Sequence, residues 1–276
     1  MIPTYLEINR PDLHLLVCHD PYNRRVRVDA LQGDLQVGLE SILEHAPAWA
    51  EKIILKARRE QVDYFARHGW AKEAEIPGYF RGADMCFMVY YRHALRSRSE
   101  TTGAERAMAQ KIMQMERNPG NPVDEIILRS TKGDAEKLAT LYKAVFAVYP
   151  TPLGDPSYIR KTMENGTIYV HIEKDGNVLS AASAEVNRTF ANAEMTDCAT
   201  LEAEQGKGYM AALLARLEEI LIPEAIECLY TICRAQSFGV NKVFYNLGYQ
   251  YSGCLVNNCH IYSGLENMNV WYKLKR

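Results

Sequence analysis

Hydrophobic and polar positions follow a clear order in the second half of the chain, after residue 122. Seven segments there have the alternating or continuous apolar pattern of β-strands: EIILRS, TIYVHIEK, VLSAASAEV, AEMTDCATL, CLYTICR, YSGCLVNN and MNVWYKL. The turn residues DGN join the second and third of these strands into a predicted hairpin.

Four helices are predicted among these strands. Asp134 can cap the first, and Asp155-Pro156 opens the second, because proline suits the first helical position. The segments EQGKGYMAALLARLEEIL and SFGVNKVFYNLGY repeat apolar residues three and four apart, which gives each helix an apolar face. The order β-α-α-β-β-β-α-β-α-β-β predicts an α/β (α+β) fold with a mixed sheet covered by helices.

Part of the first 93 residues repeats this pattern. A strand-helix-strand-strand order is predicted there, from KIILKAR, a helix ending in FARHGW, KEAEI and MCFMVYY. The same order begins at CLYTICR in the second half of the chain. Phe65 precedes Gly69 by four residues, as Phe244 precedes Gly248, and an aromatic residue follows each glycine. Because this order of elements is common, coincidence and a degenerate internal duplication both remain open.

The composition changes between Ser97 and Pro122. SRSETTG is polar, AERAMAQKIMQME predicts one short helix, and RNPGNP collects loop-forming residues. We therefore expect a smaller N-terminal α/β domain over residues 1–96, a linker with a short helix over 97–122, and a second domain over 123–276.

Composition limits the class of protein. The chain has 276 residues, 47% hydrophobic and 24% charged, which is typical of a globular protein and excludes a disordered tail or a disulfide scaffold. The net charge of −2 provides no basic field, so we expect no nucleic-acid partner. No apolar run approaches the ~18–20 residues that cross a bilayer. Charged residues also interrupt the first 17 positions, so we expect neither membrane association nor secretion, and a cytoplasmic protein.

Cysteine and histidine spacings give no sign of a metal site. The seven cysteines lack the short paired spacing of zinc ligands, and the seven histidines show no metal or triad spacing. We expect free, mostly buried thiols in a reducing compartment and no metal.

A glycine-containing loop is the clearest candidate site. Gln205, Gly206, Lys207, Gly208 and Tyr209 lie between a predicted strand and an amphipathic helix. Glycines allow a tight turn there, and the free N–H groups and dipole of the helix N-terminus attract an anion such as a pyrophosphate. Lys207 adds a cation.

This loop resembles the acetyl-CoA loop of the GNAT acetyltransferases, whose pattern is Gln/Arg-x-x-Gly-x-Gly/Ala. Gln205 and Gly208 match it, and Met210 stands where glycine or alanine is usual. The element order over 124–276 is similar to the GNAT fold, and the N-terminal domain looks like a smaller, degenerate copy of it. Five segments are more specifically similar to the beta-lysine-acetylating members of the family: YPTPLGDPSY, AEMTDCATL, YTICRA, NLGYQYSGCLVNN and ENMNVWYK.

The resemblance implies an acyltransferase in which a substrate amine attacks the co-substrate acetyl-CoA directly. The implied acceptor is the N6 amine of beta-lysine, a small diamino acid, and the implied product is an osmolyte. The 205–210 loop and Leu201 would hold the co-substrate, and a backbone N–H around Thr200 or Leu201 would stabilise charge on the thioester oxygen.

The acceptor amine must lose a proton, since a lysine-type amine has a pKa of about 10.4. The candidate bases are Glu185, Glu194 and Asp197 on two adjacent predicted strands, and Glu185 could instead bind the substrate's ammonium group. Strand alternation places Glu194 and Thr200 on one side and Asp197 on the other. Each carboxylate could equally be an ion-paired surface group.

Protonation of the leaving thiolate is a further requirement. The family usually has a tyrosine four residues before the glycine that closes the late helix, where this chain has Phe244 followed by Tyr245. Because a thiolate with a pKa of about 8.5–10 can leave unassisted, we expect no essential acid in this helix.

A substrate carboxylate would need hydrogen-bond donors. Candidates are Asn257, Asn258 and Asn269 on the closing strands and Arg234 at the end of a buried strand. Tyr149 is a candidate because the loop it occupies borders the acceptor site in the family. Each of these residues could equally satisfy a turn or a backbone group.

Three functions remain open at this stage: acetylation of beta-lysine, acetylation of another amine such as a polyamine or a protein lysine, and ligand binding without turnover. The intact 205–208 loop favours an enzyme. A homodimer is left open.

Overall fold

The computed structural model describes residues 3–118, 120, 123–147, 149, 151–261 and 264–275. Strands in these residues are β1 (Thr4–Arg10), β2 (Leu13–Asp20), β3 (Arg25–Gly33), β4 (Lys52–Arg58), β5 (Ala71–Phe80), β6 (Ala83–Tyr91), β7 (Ile127–Arg129), β8 (Ile168–Lys174), β9 (Asn177–Asn187), β10 (Asn192–Thr200), β11 (Cys228–Arg234), β12 (Gln250–Ile261) and β13 (Gly264–Leu274). The α-helices are α1 (Leu35–His45), α2 (Val62–Arg67), α3 (Thr102–Gln114), α4 (Ala135–Val145), α5 (Pro156–Glu164), α6 (Tyr209–Leu221) and α7 (Phe238–Asn246).

Residues 123–275, the C-terminal lobe, contain a seven-stranded sheet. Its strand order is β12-β13-β11-β10-β9-β8-β7, and all neighbours are antiparallel except β10 and β11. The element order along the chain is the one that the hydrophobic pattern predicts. The predicted class, a mixed α/β sheet covered by helices, is therefore confirmed.

Residues 3–91, the N-terminal lobe, contain a six-stranded sheet of the same topology. Its order is β1-β2-β3-β4-β6-β5, with β3 and β4 as the parallel pair, and it matches β8-β9-β10-β11-β13-β12 strand for strand. Helix α1 follows β3 as α6 follows β10, and α2 follows β4 as α7 follows β11. The sequence indicates only the last four elements of this repeat, whereas the structure extends it to eight, which favours an internal duplication.

The aromatic residues of the repeat have the same geometry in both lobes. The Phe65 and Trp70 rings lie 5.2 Å apart at 76°, and the Phe244 and Tyr249 rings lie 5.0 Å apart at 74°. In each pair the backbone N–H of the second residue donates to the carbonyl of the first at 3.1 Å. The pattern in the sequence therefore corresponds to one helix-ending structure that is present twice.

Four apolar clusters connect the layers. Helices α1 and α2 cover one face of the N-terminal sheet, and α6 and α7 cover one face of the C-terminal sheet. The other face of the C-terminal sheet packs against α4 and α5 at one end and against the N-terminal sheet at the other. A gap on this second face, between the two packed regions, holds the candidate site.

Polar contacts to β12 fix the two lobes against each other. The ammonium of Lys52 donates to the Val256 carbonyl at 2.6 Å and pairs with Glu73 at 2.8 Å, while Glu73 accepts the Val256 N–H at 3.1 Å. The guanidinium of Arg25 donates to the Asn258 carbonyl at 3.0 Å. Because these partners are largely buried, the lobes meet in one defined arrangement.

The predicted linker packs against the C-terminal lobe. Its short helix is α3, and residues 119, 121 and 122 of the 97–122 segment lie outside the described residues. All seven cysteines are free thiols, five of them buried. Within the described ranges, no helix is long and apolar enough to cross a membrane.

Candidate active site

The central strands of the C-terminal sheet separate to form a cleft. Strands β10 and β11 pair at only three positions, the last joining Glu194 to Tyr230, whereas β11 stays paired with β13 as far as Arg234. The cleft has a volume of about 1380 Å³, and residues of both lobes line it. Its entrance is bordered by the loop before α6.

The glycines of that loop leave the N-terminus of α6 open. Gly206 and Gly208 have φ angles of +81° and +85°, a region that residues with a Cβ rarely adopt. Gly208 is the N-cap residue, and no side chain in the described structure caps the helix. The first-turn N–H groups of α6 are therefore available to an anionic ligand.

The equivalent helix of the N-terminal lobe is closed to such a ligand. The carboxylate of Asp34 accepts hydrogen bonds from the N–H groups of Gln36 and Val37 at 2.8 and 3.0 Å. A side-chain anion thus occupies the place that a phosphate would need. Of the two helix N-termini, that of α6 can bind a pyrophosphate in this way and that of α1 cannot.

The predicted cofactor residues are partly brought together. Gln205, Gly206, Gly208, Tyr209 and Met210 line the cleft. The Tyr209 ring is buried and its hydroxyl donates to Glu125, so this residue anchors the start of α6.

Lys207 and Leu201 do not border the cleft in the described structure. The Lys207 ammonium pairs with Glu204 at 2.7 Å, and the Leu201 N–H donates to the Leu179 carbonyl at 3.0 Å. The Leu201 N–H is therefore already engaged.

A β-bulge corrects the predicted orientation of the carboxylates. The register between β9 and β10 shifts between Thr196 and Ala199, so Asp197 and Cys198 face a single residue of β9. Asp197 accepts hydrogen bonds from the hydroxyls of Ser183 at 2.7 Å and Tyr149 at 3.1 Å. The prediction that Asp197 lies on the opposite side from Glu194 was wrong, because strict alternation fails at a bulge.

The same shift moves Thr200 to the other face. Thr200 pairs with Ser180, whereas Glu194 pairs with Glu185 and shares its face with Ser183. The predicted grouping of Thr200 with Glu194 is therefore also wrong. Glu185, Glu194 and Asp197 share one face and line the cleft, and Thr200, on the other face, also borders it where the strands separate.

Crowding and burial raise the pKa of all three carboxylic acids. Burial, and secondly the charge of Glu185, raise the pKa of Glu194 to about 7 and that of Asp197 to about 7. Burial also raises the pKa of Glu185, against the opposing influence of Arg27 and Lys56. The Glu185 side chain is exposed to the cleft. Carboxylates of this kind can accept and release a proton near neutral pH.

The late helix places no tyrosine hydroxyl in the cleft. Phe244 lines the cleft with its buried ring. The Tyr245 hydroxyl donates to the carbonyls of Met113 and Met115 at 3.1 and 2.8 Å, at the end of α3. Tyr245 therefore fastens α7 to α3.

Of the predicted acceptor residues, four line the cleft: Tyr149, Glu185, Arg234 and Asn258. The Arg234 guanidinium forms a two-pronged ion pair with Glu266 at 2.7 and 2.8 Å. The Asn258 Oδ1 atom is buried without a hydrogen-bond partner in the described structure.

Asn257 and Asn269 have structural contacts instead. The Asn257 side chain donates to the carbonyls of Arg96 and Arg98 at 3.1 and 2.7 Å, and its φ of +45° is a left-handed value that asparagine tolerates. The Asn269 side chain donates to Asn241 Oδ1 at 2.9 Å within the sheet-helix core. Neither residue is among those that line the cleft.

Sequence reasoning missed the residues that the N-terminal lobe contributes. Tyr5, Cys18, Arg27, Lys56 and Tyr79 line the cleft opposite the carboxylates. The sequence offered one signal, because charged residues alternate through the otherwise apolar strand RVRVDAL. Their partner across the cleft could not be read from the sequence. In the described part of the chain, no group of three or more His, Cys, Asp or Glu side chains is arranged to hold a metal ion.

Comparisons with known proteins define the class. The model of the acetyltransferase (GNAT) family matches residues 136–249. The chain is 39% identical over 259 residues to the N-acetyltransferase YodP of Bacillus subtilis, covering 92% of this chain and 94% of that protein. The chain belongs to the GNAT acetyltransferase family and is an acetyl-CoA-dependent N-acetyltransferase.

Two further relatives carry a more specific name. The beta-lysine N(6)-acetyltransferase of Methanosarcina mazei is 33% identical over 246 residues, which cover 81% of this chain and 91% of that protein. The protein of the same name from Methanococcus maripaludis is 34% identical over 225 residues, with 81% and 82% covered.

Proposed function

We propose that this enzyme transfers the acetyl group of acetyl-CoA to the N6 amine of beta-lysine. The observation that carries the proposal is the set of three carboxylates, Glu185, Glu194 and Asp197, on one face of the cleft beside the α6 loop. Such a set suits an acceptor that arrives as an ammonium ion and must react as an amine. The names of the relatives from Methanosarcina mazei and Methanococcus maripaludis support the choice of beta-lysine.

The α6 loop is the proposed binding site for the pyrophosphate of acetyl-CoA. Gly206 and Gly208 hold the backbone in the left-handed conformation that leaves the first-turn N–H groups open. When bound there, acetyl-CoA supplies an activated thioester. Met210, on the first turn of α6, lines the cleft and provides an apolar contact for the pantetheine arm.

Glu194 is the proposed general base. It lies at the last paired position of β10 and β11, where the two strands begin to separate. Both oxygens of Asp197 already accept hydrogen bonds from the hydroxyls of Tyr149 and Ser183, so we assign this carboxylate a positioning role. With a pKa of about 7, Glu194 is partly ionised at neutral pH and can take the ammonium proton directly or through water.

The bulge in β10 is the proposed source of the oxyanion donor. Asp197 and Cys198 have no register partner on β9, and β11 has already separated on the other side. A backbone N–H left outside both ladders can donate to a developing negative charge in the gap. Because the Leu201 N–H is engaged, we assign this role to the bulge rather than to the strand end.

Removing the Tyr245 hydroxyl should leave catalysis nearly intact. Since that hydroxyl bonds the Met113 and Met115 carbonyls at the end of α3, we expect Tyr245→Phe to keep kcat within about threefold while losing about 1 kcal/mol of stability. Steady-state kinetics and thermal unfolding of the purified variant measure both quantities. A fall in kcat of more than about 100-fold would show that this helix supplies the acid after all.

The proposed product is a neutral zwitterion. Acetylation removes the positive charge of the N6 amine and leaves one carboxylate and one ammonium, which suits the osmolyte role implied by the resemblance.

The free thiols agree with a reducing compartment, and we propose that the enzyme acts in the cytoplasm.

Release of free CoA thiol tests the proposal. The purified protein is incubated with acetyl-CoA and one amine at a time. The amines are beta-lysine, lysine, spermidine and a lysine-containing peptide. We expect the highest kcat/KM with beta-lysine. A higher kcat/KM with spermidine or the peptide would show that beta-lysine is not the preferred acceptor. Thermal stabilisation by CoA, with no thiol release in the presence of any of the amines, would indicate a binding protein.

A further inference from the structure

The duplication brings two equivalent strand pairs to opposite walls of the cleft. In the C-terminal lobe, Asn192 pairs with Cys228 at the start of the parallel pair, and Glu194 with Tyr230 two positions on. In the N-terminal lobe, Arg25 pairs with Lys52 at the start, and Arg27 with Ile54 two positions on. Arg27 therefore occupies the position in its lobe that Glu194 occupies in the other.

The residues at equivalent positions of the two lobes also differ in charge on the neighbouring strand. Glu185 is the antiparallel partner of Glu194, and Cys18 is the antiparallel partner of Arg27. One wall thus carries two carboxylates at the positions where the other carries a cation and a thiol. Lys56 lies two residues beyond Ile54 and adds a second cation to the N-terminal wall.

Both cations have N–H groups without a hydrogen-bond partner among the described residues. The Arg27 guanidinium donates from Nε to Asp29 at 2.8 Å and from Nη2 to Asp29 and Tyr5 at 3.0 and 3.3 Å. Within the described residues, its Nη1 has no hydrogen-bond partner, and 29% of the side chain is exposed.

The Lys56 ammonium contacts Asp29 at 2.9 Å and the Tyr79 hydroxyl at 3.3 Å, and its third proton has no hydrogen-bond acceptor in the part of the chain that the structure describes. Asp29 is the shared partner of both cations, so it holds the guanidinium and the ammonium side by side. Two cations and one carboxylate leave one positive charge on this wall. Glu185 and Glu194 feel this charge from the other wall, and a bound carboxylate would add a direct hydrogen-bond acceptor for both cations.

The cleft is therefore bipolar. Its C-terminal wall suits ammonium groups, and its N-terminal wall suits one carboxylate. The lobe contacts described above fasten the two walls to each other. A polyamine would place an ammonium group against Arg27 and Lys56, which repel it, whereas an amino acid with a distal amine satisfies both walls.

We propose that Arg27 and Lys56 bind the carboxylate of the acceptor, so that the N-terminal lobe selects amino acids over polyamines. This inference rests on the proposed function, because it takes the cleft as the acceptor site. Glu185, on the C-terminal wall, would hold the ammonium group that is nearer to that carboxylate.

Matched pairs of acceptors with and without the carboxylate test the inference. The pairs are beta-lysine with 1,4-diaminopentane, lysine with 1,5-diaminopentane, and ornithine with 1,4-diaminobutane. We expect the wild-type enzyme to favour the carboxylate-bearing member by at least about 10-fold in kcat/KM. In Arg27→Met and in Lys56→Met, the KM for the carboxylate-bearing acceptor should rise by about 10- to 100-fold, while its kcat stays nearly unchanged. The kcat/KM for the matching diamine should not fall.

Two further variants separate binding from folding. Arg27→Lys, which keeps the charge but loses the planar fork, should recover part of the affinity. Arg216→Met removes an exposed arginine that pairs with Glu219 on α6 and should alter neither acceptor. An equal loss for both members of a pair, or an unchanged KM in Arg27→Met and Lys56→Met, would overturn the inference.

The outcomes also distinguish the two proposals. If lysine rather than beta-lysine is preferred and Arg27→Met still removes its advantage over the diamine, the acceptor assignment fails and the carboxylate site stands. If beta-lysine is acetylated no better than 1,4-diaminopentane, acetylation of beta-lysine stands and the carboxylate site fails. A preference for diamines throughout overturns both.

Discussion

Replacing Glu194 with glutamine is expected to lower kcat by about 100-fold or more at pH 7.5. Glutamine keeps the shape and position of the side chain at the opening of β10 and β11 but cannot take a proton from the acceptor amine. The KM for acetyl-CoA should change little, because the α6 loop is untouched. Steady-state thiol release with beta-lysine at saturating acetyl-CoA measures the effect.

The pH profile gives this prediction a second signature. Because burial and the charge of Glu185 raise the pKa of Glu194 to about 7, wild-type kcat should rise with pH through the region around pH 7. The Glu194→Gln variant should lose that rise. If the variant keeps the wild-type profile, another group is the base, and Asp197 is the next candidate, since its pKa is also about 7.

Stability separates lost chemistry from lost folding. A carboxylic acid whose pKa is higher in the folded than in the unfolded state binds more protons when folded, so the free energy of unfolding falls as pH rises from about 4.5 to about 7. Glutamine avoids that loss. The Tm of Glu194→Gln should therefore equal or exceed that of the wild type at pH 8. As a control, Glu219→Gln, at an exposed position on α6, should change neither kcat nor the pH profile.

Replacing Gly208 with valine should raise the KM for acetyl-CoA by at least about 10-fold. A Cβ at this position would meet only Val123 Cγ1, at 3.8 Å, so the substitution is not excluded by space. It is disfavoured by the φ of +85°, which costs a residue with a Cβ about 1–2 kcal/mol and drives the N-cap towards another conformation. The first-turn N–H groups of α6 would then no longer point together at an anion.

Gly176→Val is the matched control for backbone strain. Gly176 has a φ of +80° in the hairpin between β8 and β9, and a Cβ there would meet no atom within 4 Å. The control should lose a similar amount of stability with an unchanged KM for acetyl-CoA. If Gly208→Val leaves that KM at the wild-type value, the loop does not hold the co-substrate.

Local patterns in the sequence were sufficient for the C-terminal sheet and for part of the duplication. Apolar periodicity, helix caps and turn residues act over a few positions, and they predicted each element of the C-terminal lobe. The spacing of Phe65 and Phe244 from their glycines reflects one packed helix end, which is also local. The earlier strands of the N-terminal lobe lacked such markers and were recognised as copies only through the order of their pairing.

The candidate site could be predicted only in part because it depends on non-local geometry. The bulge between Thr196 and Ala199 changes which side chains share a face, and nothing in AEMTDCATL marks it. The proximity of Arg27 to Glu194 arises from the docking of two sheets, which strand patterns do not encode. Asn257 was a plausible ligand in the sequence, but its side chain is used to bind two backbone carbonyls.

The position of the acetyl group in the product tests the central proposal most directly. Beta-lysine carries two amines, and the proposed orientation places its carboxylate on the N-terminal wall and its distal amine at Glu194. Two-dimensional NMR of the purified product should show a single acetyl group on N6, with the amine next to the carboxylate free. Acetylation of that nearer amine, or the absence of any acetylated beta-lysine, would contradict the account.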